Sequence, residues 1–326
     1  MGGLGTFISV GKSLDQAVER VKRADALGYD STYVTHIAAR DSLTVLMAYV
    51  AASERIKVGT GVLPIYSRTP VATAQQAATI DEYSGGRMVL GLGVSHQVTV
   101  ENWYQAKLER PLLAMKEYAG IVRALFQSQE PPQGEIFRTN FRFMGYEPRP
   151  DLPIYVAGLS RNMLELAGEI ADGVMLWLCI PDYIHDVVVP AVRAGREKAG
   201  KSMEGFDIVA AVPAAVTEDK EGAYQVMRAD LMTYFSLPFY RAMIEGSGFE
   251  EDIEAYDAGM AEGDIDKAMA GISAFYLDAL TAIGSPEDVR AGVERYAQAG
   301  ATSPCIGPVP RTDFEATLEA AAPKSR

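Results

Sequence analysis

Short runs of β-branched and apolar residues alternate along this chain with longer stretches whose apolar positions recur at helical spacing. Residues 6–10 form the first such run. Leu14, Ala17, Val18, Val21, Ala24 and Leu27 follow at helical spacing behind Ser13, the signature of an amphipathic helix with a serine N-cap. Further strands are predicted at 31–36, 56–62, 88–93, 154–158, 174–178, 208–216 and 304–309, with helices at 43–53, 71–83, 112–126 and 162–170. Several of these strands are apolar almost without interruption, which marks a parallel sheet covered on both faces. Eight strands, intervening helices and no long linker predict one α/β domain over residues 1–326, a (β/α)8 TIM barrel.

Two segments break the rhythm. Residues 135–147 set Phe137, Phe141 and Phe143 in near alternation around Thr139 and Asn140, a pattern that predicts a small hairpin over the barrel. Residues 223–282 form a longer insertion before the eighth strand, helical in pattern and rich in aromatic side chains from Tyr224 to Tyr276. Its rings must be buried somewhere, either as a lid over the site or as an interface. Apolar positions on the helices around 71–80 and 112–126 are consistent with a homodimer.

Composition narrows the function. The 326 residues carry a net charge of −13, so there is no global positive field to gather nucleic acid or an anionic membrane. With 48% hydrophobic residues the chain has a sizeable core, yet no apolar stretch approaches the length of a membrane span and no signal-peptide pattern opens it. Two cysteines, Cys179 and Cys305, cannot build a disulfide scaffold, and the expectation is a cytoplasmic protein.

In a (β/α)8 barrel, chemistry collects where strands end and the next loops begin. His36 ends the second predicted strand, Gly61, Val62 and Leu63 the third, Gly93, Val94, Ser95 and His96 the fourth, and Gly158, Leu159 and Ser160 the fifth. Either histidine suits proton transfer, because imidazole titrates nearest neutrality; each also suits a purely structural bond to a loop carbonyl. His185 falls in a helix and reads as a surface residue. No H-x-x-E or H-x-x-x-H spacing supports a metal site. The Gly91-Leu92-Gly93-Val94-Ser95-His96 run fails as a dinucleotide fingerprint, because His96 stands where the third glycine belongs. Gly158-Leu159-Ser160 opens a helix, so its amides, with Arg161 beside them, offer either an anion site or an ordinary cap. Nucleophile-elbow, kinase and P-loop signatures are absent, and acids are scarce at the strand ends. Such a mouth suits a reaction whose chemistry a bound cofactor supplies.

The run Gly59-Thr60-Gly61-Val62-Leu63-Pro64-Ile65-Tyr66-Ser67-Arg68-Thr69-Pro70, with Asp81-Glu82-Tyr83-Ser84-Gly85-Gly86-Arg87 after it, resembles the bacterial luciferase-like superfamily, most closely its coenzyme F420-dependent oxidoreductase branch. Glu165-Leu166-Ala167-Gly168-Glu169-Ile170-Ala171-Asp172-Gly173 is similar to that family as well. The resemblance implies a barrel with the deazaflavin in its mouth, a non-proline cis peptide matching Gly61-Val62, and a phosphate loop matching Gly158, Leu159 and Ser160. Relatives that oxidise alcohols place a histidine where His36 stands, preceded here by Thr35. Those relatives carry a glutamate where this chain has His96, and a tryptophan where it has Arg40. What the resemblance implies is therefore hydride transfer between F420 and a small organic substrate, in the reductive direction. The alternatives are an FMN-dependent monooxygenase using dioxygen and a non-catalytic ligand-binding barrel.

Overall fold

The computed structural model describes residues 3–323 and shows a closed parallel barrel. Its strands are β1 (Gly5–Phe7), β2 (Ser31–Val34), β3 (Lys57–Thr60), β4 (Leu63–Pro64), β5 (Met88–Gly93), β6 (Ile154–Ala157), β7 (Gly173–Leu176), β8 (Asp207–Val216), β9 (Ala282–Gly284) and β10 (Ser303–Pro308). The ring runs β1, β2, β3, β5, β6, β7, β8, β10 and closes where β10 pairs both β1 and β8, with Cys305 opposite Gly5 on one side and Ala211 on the other. The eight expected strands are these staves. Two short strands were not legible: β4 pairs the end of β5, and β9 pairs the end of β8. The expected strand 56–62 is divided accordingly, with the Gly61–Val62 peptide bond between its parts in the cis form.

Side chains alternate across each strand, so one set fills the barrel and the other packs outward against the helices. Phe7, Tyr33, Val89, Tyr155, Met175, Val209, Ala211 and Cys305 form the interior cluster. Two glycines make room for its tyrosines: a Cβ on Gly59 would lie 2.8 Å from the Tyr33 ring, and one on Gly173 would lie 2.9 Å from that of Tyr155. The end of the barrel away from the site is polar but satisfied. Asp207 accepts hydrogen bonds from Tyr155 Oη at 2.9 Å, from Ser303 Oγ at 2.8 Å and from Thr302 Oγ1.

Helices cover the outside. Helix Leu14–Ala26 starts where Ser13 caps it, and helices Ser42–Ala51, Pro70–Ser84, Pro111–Phe126 and Arg161–Ile170 match the expected segments. Two expectations are corrected. Residues 135–147 form no hairpin; Glu117 takes the amides of Glu135, Ile136 and Phe137 at 2.8–2.9 Å, so these donors are satisfied by one carboxylate instead of a strand ladder. The helices around 71–80 and 112–126 present no broad apolar face outward, because Ala74, Ala77, Ile80, Met115, Tyr118 and Val122 are buried and only single side chains such as Tyr83 and Leu112 stay exposed. Among the described residues no helix is long and apolar enough to cross a membrane.

The insertion consists of helices Lys220–Phe235, Pro238–Glu245, Glu250–Glu262, Ile265–Ala270 and Ala274–Leu280. Phe235, Phe249, Tyr256 and Tyr276 pack edge-on or tilted against one another and give it a core of its own.

Candidate functional site

The loops following β2, β4, β5 and β6 succeed one another around the C-terminal end of the barrel, and they carry the expected site residues in that order. Backbone strain collects at the same end. Ser95 after β5, Leu178 after β7 and Arg311 after β10 hold φ of 63°, 59° and 66°, a left-handed conformation that costs a non-glycine residue about 1–2 kcal/mol. Strain of this kind persists where the surroundings over-determine it, commonly at functional sites.

His36 is half-buried just beyond β2. A backbone amide can only donate, so the Ser42 N–H at 3.2 Å makes Nδ1 an acceptor, and the network assigns the proton of neutral His36 to Nε2. Ser42 Oγ lies 3.0 Å from the same Nδ1. Burial and the Arg68 guanidinium hold the imidazole below its ordinary pKa, with Asp41 pulling weakly the other way. Asp41 Oδ2 is 3.9 Å from Nδ1, too far for a hydrogen bond, so the two form no ion pair at neutral pH. Thr35, beside it, shares a hydrogen bond of 3.2 Å with Ser9. Arg40 turns away and donates to the carbonyls of Gly11 and Lys12.

Val62 and Gly93 meet across the next gap: a Cβ on Gly93 would sit 2.6 Å from Val62 Cγ2, so only glycine allows this approach. Leu63 is buried in the outer core, whereas Val94 and Ser95 are half-buried in the rim. His96 lies beyond the strand, at the N-cap of the short helix Gln97–Asn102, and burial lowers its pKa. Its ring packs 5.8 Å from that of Tyr240, which comes from the insertion. His36 and His96 thus stand on separate loops, both neutral at pH 7.

Gly158, Leu159 and Ser160 lead from β6 into helix Arg161–Ile170. Ser160 Oγ accepts from the Met163 amide at 3.4 Å, and Tyr183 Oη fixes the Leu159 carbonyl at 2.8 Å. The exposed Arg161 pairs with Glu165 at 3.0 Å. His185 is exposed on the outer layer, as expected.

Several residues around the mouth had not been singled out. Trp177, one residue beyond β7, is half-buried, and its Nε1 has no hydrogen-bond partner. Tyr66 Oη, just after β4, is buried and unpartnered too. Phe7, Trp177, Tyr234, Tyr240 and His96 form a continuous aromatic arc, with successive ring centroids 6.4, 6.3, 4.8 and 5.8 Å apart. Tyr234 and Tyr240 bring the insertion over the strand ends. A strand-end search extended to the sixth strand would have found Trp177, one of only two tryptophans in the chain.

Comparison with known proteins agrees with this geometry. A family profile described as luciferase-like monooxygenase matches residues 2–303. The chain is 32% identical over 294 residues to the 5,10-methylenetetrahydromethanopterin reductase of Archaeoglobus fulgidus, covering 88% of this chain and 87% of that one. Among solved structures, the coenzyme F420 dependent tetrahydromethanopterin reductase of Methanopyrus kandleri superposes with a TM-score of 0.80 at 22% identity, over 98% of this chain and 97% of that one. An F420-dependent secondary alcohol dehydrogenase, in complex with an F420-acetone adduct, gives 0.79 at 18% identity, over 99% and 98%. A profile matching residues 2–303 of this chain and a relative above 30% identity place the chain in the luciferase-like monooxygenase family.

Proposed function

We propose that this protein is an oxidoreductase that passes a hydride between coenzyme F420 and a small organic substrate, reducing that substrate. The observation that carries the reading is His36: a neutral imidazole at a strand end, anchored through Nδ1, with its one N–H on Nε2. The Archaeoglobus relative, a reductase by name, supports the direction.

The residues present fit the coenzyme. Tyr66 supplies a buried hydroxyl with no protein partner, and Val62 is half-buried against a side-chain-free Gly93. Gly61, Val62, Leu63, Gly93, Val94, Ser95 and Thr35 would line the ring, while Gly158, Leu159, Ser160 and Arg161 would hold a phosphate at a helix N-terminus. When bound, F420 supplies a two-electron hydride from its deazaflavin. The Nε2–H of neutral His36 would then donate a hydrogen bond to the substrate atom that gains charge, and the half-buried position of the ring lets solvent supply the proton that atom takes up. His96, its ring tilted against that of Tyr240, is the second candidate for this role. Tyr234 and Tyr240 exclude water from the mouth, which makes the insertion a lid.

Under this reading the protein works in the cytoplasm as a homodimer. Cys179 and Cys305 are both free and buried, and Tyr83 and Leu112 remain exposed on neighbouring helices.

Titrating the protein with reduced F420 and with reduced FMN tests the assignment. Tight binding of F420 and substrate turnover without oxygen consumption are expected; turnover with FMN alone, consuming dioxygen, would overturn it. Ser160→Ala is expected to weaken F420 binding about fivefold, near 1 kcal/mol, with kcat unchanged, as measured by fluorescence titration and steady-state kinetics. An unchanged affinity would remove Ser160 from the phosphate loop.

A further inference from the structure

We propose that Arg68 and Asp41 are positioning residues for His36: the Arg68 guanidinium occupies the Asp41 carboxylate, which keeps it from accepting a proton bond from His36 Nδ1 and so holds the imidazole N–H on Nε2. Every Asp41 oxygen is committed. Oδ2 takes Arg68 Nη2 at 2.5 Å, while Oδ1 takes the Thr44 amide and hydroxyl at 2.9 Å each. Arg68 is fixed in turn by Gln76 Oε1, 2.8 Å from Nη1, and by the Tyr118 hydroxyl, which donates to its carbonyl at 3.2 Å. Its side chain is largely buried.

Asp41 and Ser42 are adjacent, so helix Ser42–Ala51 offers His36 two competing partners at its N-terminus. The Ser42 amide needs Nδ1 as an acceptor; a free Asp41 carboxylate would need it as a donor. Withdrawing the carboxylate to Arg68 leaves the Ser42 amide without a competitor. The charged groups facing His36 act in opposite senses. After burial, Arg68 is the largest influence against a charged ring, and Asp41 the one in favour. Arg40 is engaged at Gly11 and Lys12, and Tyr104 also lies within the influence of Arg68.

The pair rests on the proposed role of His36 only for its effect on turnover, because the tautomer is read on the protein without coenzyme. Two-bond 1H–15N spectra of the 15N-histidine-labelled full chain, followed over pH and assigned with His36→Gln, are expected to show the Nε2–H form in the unaltered protein. In Arg68→Met the neutral ring should switch to Nδ1–H and its titration midpoint should rise by about one pH unit or more. Adding Asp41→Asn should restore both. A folded Arg68→Met protein that keeps the Nε2–H form overturns the proposal, whatever its midpoint, since loss of a cation alone raises the midpoint without moving the proton. If Arg68→Met does not fold, Asp41→Asn decides: the Nε2–H form with a lowered midpoint supports the proposal, and a raised midpoint or a switched tautomer overturns it. A switched tautomer in Arg68→Met with an unmoved acid limb of kcat would uphold the positioning pair and count against His36 as the hydrogen-bond donor to substrate.

Discussion

Replacing His36 by alanine lowers kcat about 100-fold or more, the usual contribution of a positioned hydrogen-bond donor to developing charge, and changes F420 affinity by less than about threefold. The split follows from what the ring touches. Its Nδ1 is spent on Ser42, so the group anchors itself through one nitrogen and acts through the other. None of these contacts reaches the Gly158 to Ser160 loop, where coenzyme binding is expected to draw its strength. The pH dependence has a definite sign. Burial and Arg68 lower the proton affinity of the ring from the ordinary 6.5, so His36 is the Nε2–H donor throughout the neutral range. Protonation would cost the Ser42 amide its acceptor, so activity should fall only at pH below 6.5 and stay level above it on account of this group. Steady-state kinetics of His36→Ala and a kcat profile of the unaltered protein check both points. A variant that loses coenzyme affinity as much as turnover would make His36 a binding residue, and full activity would transfer the role to His96.

Much of the scaffold was legible because its cause is local. The apolar strand runs, the Ser13 and Ser160 caps and the glycine ending helix Pro70–Ser84 each follow from the nearest few residues, and each is found. β9 has three residues and β4 two, too few for a period to show, and both exist only because a longer neighbour offers them an edge. The 135–147 segment misled for a related reason. Its alternating phenylalanines do turn inward, yet the amides beside them go to Glu117, eighteen or more residues earlier, a partner that periodicity cannot reveal.

The site was legible by position and illegible by chemistry. Strand ends placed His36, Gly61, Gly93 and Gly158 on one face of the barrel. The tautomer of His36 is set by an amide six positions on, while the engagement of Asp41 by Arg68 and the arrival of Tyr240 at His96 are contacts across 27 and 144 positions, and none has a spacing signature. The blocks that revealed the family serve the frame more than the mouth. A Cβ on Gly168 would lie 2.3 Å from the Val192 carbonyl, so that glycine sets a close helix approach. Asp172 accepts the Ile154 amide at 2.9 Å and pairs with Arg123, holding β6 in place.

Arg87, which closes the first of those blocks, gives this its quantitative test. Arg87→Met should destabilise the protein by about 3 kcal/mol while the folded enzyme keeps its kcat and its coenzyme affinity. The guanidinium lies between helix Ser42–Ala51 and the start of β5, and every nitrogen is used. Nε donates to the Ser84 carbonyl at 2.9 Å; Nη1 donates to Ser53 Oγ at 3.0 Å and the Ile56 carbonyl at 2.9 Å; Nη2 donates to the carbonyls of Val50 at 3.3 Å and Ser53 at 3.0 Å. Val50 and Ser53 stand at the end of the helix, where carbonyls lack partners within it, so the arginine acts as a cap for a helix that does not contain it. Methionine keeps the length and the packing of the stem but donates nothing. A charge-assisted bond contributes about 1.5–3 kcal/mol, and several of these carbonyls would recover part of the loss by turning toward water, which sets the net effect near the value of two such bonds and not five. Urea denaturation should show a lower midpoint at an unchanged slope, since the surface exposed on unfolding is the same. The opposite pattern, stability held and F420 affinity lost, would mean that the 81–87 block reaches the mouth after all, at the far end of the strand whose other end carries Gly93.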